Sequence, residues 1–370
     1  MISDVFVNIN KIIERDSKVS TYKFALLRGV IDIVQDNSPY MVVSDNRVWF
    51  PTGLLIEKWL LYYYPILESS QAIPQIYGSA NLAFESHFRK IIDYYACGLG
   101  FSAFYNDLRN KGIPDAIKPE FIDLVRSMQR TVTGMPMKYI GRSISSDYYS
   151  IFKYENSTRS GTHQKVDIEW MINSLGRFSI PYEYYTAFNV LGSFINGQDS
   201  ILFKWAEFSV NASGQRLSFE QVVNEVLKSP ITERDVRESK QIYQSVLAQE
   251  GKVYCVWTGN LITRYDIDHV IPFSVMRNND LWNLLPSDPK TNNKKRDKIP
   301  SPLLIEKNRD LIMHYWDLLS VSHPTRFRKE LQVSLVGVSE ETLRHDIALK
   351  QLSGKCEYLI SSRGFEEWMG

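Results

Sequence analysis

Apolar residues recur at helical spacing near the start of the chain. In residues 21–34 they lie three or four positions apart, as on one face of a helix: Phe24, Leu27, Val30, Ile31 and Val34. Residues 52–64 are apolar nearly all round, which predicts a buried helix that ends before Pro65. Both segments belong to a helical amino-terminal domain that we predict over residues 1–140.

Two further helices are predicted in the same domain, over residues 81–97 and 101–110. Gly112 and Pro114 then interrupt the helical pattern, because glycine and proline are the strongest breakers of regular structure. The amino-terminal third therefore favours helices joined by short breaks.

The pattern changes over residues 141–230. Residues 148–154 alternate weakly between polar and apolar positions, Ser160-Gly161 indicates a turn, and aromatic residues are dense over 178–208. We predict mixed short strands and helices here, either as a region of its own or as part of the amino-terminal domain.

Two more helices are predicted on either side of residue 230, over 218–228 and 232–250. Thr232 fits an N-terminal cap, with Asp235 as an acid in the first turn. The second helix opens a domain that we predict over residues 231–305.

After Gly251 the chain breaks into short apolar pieces. Residues 265–271 and 282–285 resemble two strands, and Ser287-Asp288-Pro289 predicts a helix start with a cap, an acid and a proline. Helical patterns return in a tail over residues 306–370. The predicted fold class is α+β: a mostly α-helical chain with a small strand–loop–strand–helix domain near its carboxyl-terminal third.

Composition excludes several classes of protein. The chain has 370 residues, 44% of them hydrophobic and 23% charged, which is typical of a folded protein rather than a disordered one. Lysine and arginine number 43 and aspartate and glutamate 42, so the net charge indicates no nucleic-acid partner by itself. No signal peptide or membrane-spanning run is evident, so we expect a cytoplasmic protein without a membrane partner.

The three cysteines are Cys97, Cys255 and Cys356, and no two of them form a Cys-x-x-Cys pair. This spacing excludes a disulfide framework and a cysteine-built zinc knuckle. We expect buried or partly buried free thiols.

Candidate chemistry concentrates in the strand–loop–strand–helix segment. Asp268 and His269 are adjacent on the first strand, and Asn292 lies in the first turns of the helix. Phosphodiester hydrolysis needs a base to activate water and a cation to stabilise the charge that grows on phosphate. Histidine suits the base near neutral pH, and a carboxylate with a carboxamide oxygen suits a hard ion such as Mg²⁺.

The segment resembles the HNH (ββα-metal) nuclease motif. The residues that carry the resemblance are Asp266, Asp268, His269, Pro272, Ser274, Asn283 and Asn292. It is especially similar to the HNH domain of RNA-guided CRISPR nucleases, the His-Asn-Asn variant in which asparagine replaces the last histidine. One mismatch is that Leu284 directly follows Asn283. The resemblance spans residues 254–300, and we recognise no family in the rest of the chain.

The resemblance implies a role for each residue. His269 would be the general base, and Asn283 would hold the loop that orients its ring. Asp268 and Asn292 would bind Mg²⁺ or Mn²⁺, with Asn292 favoured over Asn293 on spacing alone. Asp266 would lie next to the metal ligands without binding the ion itself. The products would carry a 5′-phosphate and a 3′-hydroxyl.

A run of cations follows the second strand. Beside a phosphodiesterase site these side chains are expected to contact phosphate, although a solvated helix face is the usual fate of such a run. They are Lys290, Lys294, Lys295, Arg296 and Lys298.

These features predict a metal-dependent endonuclease that hydrolyses DNA, in restriction or anti-phage defence. The alternatives are a mobile-element or homing-type nuclease, an RNase, and a catalytically silent nucleic-acid-binding regulator with the same fold. DNA is the expected partner and RNA an open one, and a homodimer or a defence-system partner protein is compatible with the sequence.

Overall fold

The computed structural model describes every residue except 1, 16–18, 79–80, 99, 141–149, 158–164, 194, 228–233 and 338–343. It confirms an α+β chain that is mostly helical. The chain divides into two compact units. The first comprises Met1–Asp36 and Tyr40–Pro230, and the second comprises Asn37–Pro39 and Ile231–Gly370.

The first unit is built mainly from helices around one small sheet. Its strands are β1 (Val42–Ser44), β2 (Arg47–Pro51), β3 (Lys153–Glu155) and β4 (Arg177–Pro181). Its helices are α1 (Ile2–Arg15), α2 (Tyr22–Gln35), α3 (Thr52–Glu68), α4 (Glu85–Ala96), α5 (Phe101–Asn106), α6 (Lys118–Gly134), α7 (Pro136–Tyr139), α8 (Ile168–Ser174), α9 (Tyr182–Ser193), α10 (Ile195–Ala212) and α11 (Phe219–Leu227).

The four strands form an antiparallel sheet in the order β1-β2-β4-β3. In its centre Phe50 of β2 pairs with Phe178 of β4, and both side chains are buried. Helix α3 supplies the core beside the sheet, because Trp59, Tyr63 and Tyr64 are fully buried. Large aromatic side chains thus account for much of the apolar area that stabilises this unit.

Several predicted boundaries differ from those of the structure. Helix α3 continues past Pro65 to Glu68. A proline in the last turn removes only one backbone hydrogen bond, and the buried side chains of Ile66 and Leu67 hold that turn in place. Helix α5 passes into a π-helical turn over Asp107–Lys111, which ends at Gly112 with φ of 93°.

The start of the helix before Gly251 also differs. It begins at Arg237 rather than near residue 232, since the Asp235 carboxylate accepts the Arg237 backbone N–H and forms a turn ahead of it. Thr232 and the turn expected at Ser160-Gly161 lie outside the described residues.

The second unit contains short strands surrounded by helices. Its strands are β5 (Val253–Tyr254), β6 (Leu261–Ile262), β7 (Asp266–His269), β8 (Leu284–Ser287), β9 (Ile299–Pro300) and β10 (Glu367–Trp368). Its helices are α12 (Arg237–Glu250), α13 (Phe273–Met276), α14 (Pro289–Lys295), α15 (Pro302–Lys307), α16 (Arg309–Ser322), α17 (Pro324–Leu331) and α18 (His345–Ser361). A π-helical turn over Gln332–Val336 follows α17.

The core of this unit lies where α12 and α16 pack on the end of β8. Trp282 and Trp316 are fully buried, and the Trp316 indole N–H donates to the Trp282 carbonyl at 2.9 Å. The Tyr243 hydroxyl donates to the Leu284 carbonyl, also at 2.9 Å. One of these backbone oxygens lies in β8 and the other just before it. The two helices therefore fix the position of the strand in addition to burying it.

The three cysteines are free thiols, as the sequence predicts. Cys255 and Cys356 are buried, as predicted, but the prediction is wrong for Cys97, which is exposed because it follows the last turn of α4. Within the described parts of the chain, no helix has both the length and the apolar character needed to cross a membrane.

Candidate functional site

The candidate residues lie in a ββα unit. Strand β7 pairs antiparallel with β8, so that Asp268 faces Leu285 and His269 faces Leu284, and α14 follows directly. The second strand begins later than predicted, because residues 281–283 form a 3-10 turn. Asp288, not Ser287, caps α14: its carboxylate accepts the backbone N–H groups of the next two non-proline residues.

Asn283 connects the ends of the two strands. Its carboxamide nitrogen donates to the Ile271 carbonyl at 2.9 Å, and its carboxamide oxygen accepts the Ile271 N–H at 2.8 Å. Its backbone carbonyl accepts the Val270 N–H at 2.8 Å. Because the side chain is fully buried, these bonds replace all contact with water and hold the chain that leaves His269.

His269 is 1% exposed, and both ring nitrogens have partners. Arg234 Nη2 lies 3.1 Å from Nδ1, and Asn279 Oδ1 lies 3.2 Å from Nε2. Since arginine can only donate, Nδ1 accepts and Nε2 carries the proton. Burial, with the Arg234 charge second, lowers the pKa of His269 to about 4. The ring is therefore neutral at pH 7, the form that a general base requires.

Asp268 is 2% exposed and is held by two donors. The Trp257 indole N–H donates to Oδ2 at 2.6 Å, and Lys295 Nζ donates to Oδ1 at 3.0 Å. Lys295 also donates to the His269 carbonyl at 2.6 Å and has no exposed surface. This buried ion pair ties α14 to β7 and supplies the positive charge that a buried carboxylate needs.

Asp268 and Asn292 carry the oxygen donors of the candidate metal site. Asp268 offers a carboxylate and Asn292, half-buried on α14, a carboxamide. An ionised carboxylate has about four lone-pair sites, and Trp257 and Lys295 use two of those on Asp268. Among the described residues no group of three His, Cys, Asp or Glu side chains could hold a metal. A carboxylate and a carboxamide oxygen are donor types that Mg²⁺ accepts, with water at its other positions.

Two known protein families match two separate parts of the chain. A family model described as a domain of unknown function, DUF8808, matches residues 3–226, which is more than half of the chain. The chain belongs to the DUF8808 family. A family model for HNH endonucleases matches residues 256–301, which confirms the resemblance of the ββα unit, and we call these residues the HNH domain. No curated protein and no solved structure matches the chain.

The predicted cations occupy three kinds of position around the HNH domain. Lys290, Lys294 and Arg296 are exposed on and just after α14, and Lys298 pairs with Glu366. Lys295 points inward, so a phosphate contact does not fit its position. The physical reason is helical spacing: Lys295 lies three residues after Asn292 and shares the face of α14 that packs on β7.

Asp266 and Asn293 lie at the edge of the site. Asp266 is exposed at the outer end of β7, opposite Ser287, and Asn293 is exposed on α14. Asn292 is the more buried of the two neighbouring asparagines, and its carbonyl accepts the Arg296 N–H.

Sequence reasoning missed four contributions to the site. Arg234 and Asn279 contact the His269 ring, and Trp257 and Lys295 hold Asp268. The spacing of Lys295 from Asn292 could have placed it correctly. Arg234 lies 35 residues before His269, whereas Trp257 lies 11 residues before Asp268, and neither residue carries a sequence signal for these contacts.

Proposed function

We propose that the HNH domain of this DUF8808 protein is a metal-dependent endonuclease that hydrolyses DNA. The observation that carries the proposal is the neutral His269 ring, whose Nδ1 accepts a hydrogen bond beside the buried Asp268. A neutral imidazole held by both nitrogens is pre-oriented to take a proton from water. HNH nucleases as a family act on nucleic acids with divalent ions, which supports this chemistry.

Arg234 has to move before His269 can act. Its guanidinium holds Nδ1, the nitrogen with the free lone pair. A phosphate oxygen is a stronger acceptor for arginine than imidazole is, because the bond is charge-assisted and can be bidentate. Arrival of the scissile phosphate would draw Arg234 onto the substrate and expose Nδ1 to the attacking water. The contact between Arg234 and Nδ1 thus blocks the base until substrate is present.

The reaction consumes one water. His269 Nδ1 takes a proton from that water as its oxygen bonds to phosphorus, and the bond from phosphorus to the 3′ oxygen breaks. The leaving 3′ oxygen then takes a proton from solvent. Asp268 and Asn292 would hold the divalent ion, which when bound stabilises the charge on the phosphate and on the leaving oxygen.

Arg296 supports a nucleic-acid contact through its backbone. Its φ of 52° and ψ of −119° lie in a region that favours glycine, at the residue that ends α14. A non-glycine residue there costs on the order of 1–3 kcal/mol. Because its backbone is strained and its side chain is exposed, Arg296 does not stabilise the fold. A role in binding phosphate fits its position.

Arg296→Gly should stabilise the protein while weakening DNA binding. Relief of the strained backbone should raise the free energy of unfolding by about 1 kcal/mol. Loss of one phosphate contact should reduce the salt dependence of binding, with the slope against log salt smaller by about 1. Thermal unfolding and DNA binding over a salt series measure the two effects.

Arg296→Ala is the matched control, since alanine removes the same side chain but keeps the left-handed strain. It should weaken binding as much as glycine does, without the gain in stability. If Arg296→Gly destabilises the protein, or binds DNA with unchanged salt dependence, then Arg296 is not retained for phosphate.

The substrate class is tested with purified protein on supercoiled plasmid, linear duplex, single-stranded DNA and RNA, each with Mg²⁺, Mn²⁺ or EDTA. We expect metal-dependent cutting of DNA. Cutting of RNA alone would replace the DNA proposal with an RNase, and no cutting with retained DNA affinity would favour a silent binding protein. One HNH centre cuts one strand at a time, so nicked plasmid should precede linear plasmid.

A further inference from the structure

The loop that contacts the catalytic histidine is held by residues outside the HNH domain. Asn279, whose carboxamide oxygen faces His269 Nε2, lies between α13 and the 3-10 turn that begins at Leu281. This loop packs against α17 and the π-helical turn after it, elements beyond the matched residues 256–301. The position of the His269 ring therefore depends on how firmly the loop is held.

Arg326 of α17 is the centre of these contacts. Its Nη2 donates to the Asn279 backbone carbonyl at 3.3 Å, and its Nε donates to Glu330 Oε1 at 2.6 Å. It also pairs with Glu238 of α12. The Arg326 guanidinium thus joins the loop that carries Asn279 to two helices, α17 and α12. Its planar fork fixes the geometry of these bonds.

Glu330 holds the next part of the loop. Its Oε2 accepts the Leu281 backbone N–H at 2.6 Å, and the residue is 3% exposed. A buried backbone N–H that loses such an acceptor is costly, since no water replaces it. Arg326 and Glu330 therefore grip the loop on both sides of Asp280.

Asp280 itself is fixed from the same direction. Its Oδ2 accepts from Ser334 at 2.5 Å, from the Trp282 indole N–H at 3.1 Å and from Asn278 at 3.0 Å. Ser334 belongs to the π-helical turn after α17. Three consecutive loop residues, 279–281, are thus bound by side chains of one segment, α17 and the π-helical turn after it. Arg326 binds the first, Ser334 the second and Glu330 the third.

We propose that Arg326 and Glu330 are positioning residues for catalysis, a clamp that holds the loop of Asn279 and through it the His269 ring. The proposal rests on the proposed function of His269 as the general base. The clamp touches neither substrate nor metal ligands. It acts by placing the base, and a displacement of about 1 Å at a reacting group can cost roughly 10²-fold in rate.

The first test compares Arg326→Ala, Arg326→Lys and Glu330→Gln with Arg328→Ala, a control that removes an exposed arginine from the same helix. Arg326→Ala should lower kcat by roughly 10- to 100-fold with KM little changed, because substrate binding is intact and the base is misplaced. Arg326→Lys keeps the charge and should recover part of the loss. Equal kcat in Arg326→Ala and Arg328→Ala would overturn the clamp.

The second readout is the pH profile of kcat. Burial raises the pKa of Glu330 to about 7, with the Asp280 charge adding and Arg326 opposing. Arg326 in turn faces Glu238 and Asp235. As pH falls through 7, Glu330 gains a proton and Arg326 loses a charged partner, so kcat should fall towards acid. Glu330→Gln should lack that step; a profile identical to wild type would contradict the proposal.

A structural readout separates this clamp from the nuclease itself. Exchange of the Leu281 amide hydrogen and the NMR signals of the His269 ring are measured in the full-length wild type, Arg326→Ala and Arg328→Ala. Faster exchange and shifted ring signals in Arg326→Ala alone support the clamp even if the wild type cuts nothing, in which case only the proposed function fails. Unchanged exchange and ring signals overturn the clamp while leaving cleavage by the wild type unaffected.

Discussion

Cleavage should be lost when His269 is replaced by alanine. The ring is buried, neutral and oriented at both nitrogens, so its removal takes away the group that we propose as the proton acceptor. General-base catalysis contributes roughly 10²- to 10⁴-fold, or about 3 to 5 kcal/mol in activation free energy. The measurement is the single-turnover rate on duplex DNA with saturating Mg²⁺.

The control is His314→Ala, which removes an exposed histidine of α16 in the same unit. It should cut at the wild-type rate. DNA affinity should be retained in His269→Ala, since the role that we propose for the lost group is on water and not on DNA. A His269→Ala protein that folds normally and cuts within a factor of a few of wild type would remove His269 from the mechanism.

Lys295→Met should destabilise the HNH domain by about 3–5 kcal/mol. Lys295 and Asp268 are both buried, and the ammonium group is 3.0 Å from the carboxylate. Methionine keeps the volume of the side chain but leaves a buried charge whose remaining donor is Trp257. Breaking one partner of such a pair typically costs this much, because the other charge stays desolvated. Urea unfolding measures the loss.

Two further variants isolate the ion pair. Lys294→Met removes an exposed neighbouring lysine and should change stability by no more than about 0.5 kcal/mol. Asp268→Asn combined with Lys295→Met removes both charges and should recover much of the loss. Mg²⁺ should stabilise Lys295→Met more than the wild type, since the ion supplies positive charge at Asp268. Equal stability of the two lysine variants would contradict the assignment.

The ββα unit is readable from sequence because its signals are local. Asp268 and His269 are adjacent, Asn283 directly precedes β8, and Pro289 marks the start of α14. Each signal rests on capping, strand pairing or a short spacing. The same holds for the apolar face of α2, which predicted that helix to within a residue at each end.

The supporting contacts could not be predicted, since they join distant parts of the chain. Arg234 is 35 residues from His269, and Glu330 is 49 residues from Leu281. Lys295 shows the complementary error: it was predicted to contact phosphate with the other cations of the run, although the buried Asp268 carboxylate required a cation nearby. Helical boundaries at Pro65 and Arg237 moved because packing and side-chain turns override local propensity.

The most direct test of the central claim is cleavage of DNA by the wild-type protein in ¹⁸O-labelled water with Mg²⁺, followed by mass spectrometry of the ends. Hydrolysis by water activated at His269 predicts one ¹⁸O in the 5′-phosphate and none in the 3′-hydroxyl, and no products with EDTA. Label in a 3′-phosphate, or cutting that persists in EDTA, would contradict the account.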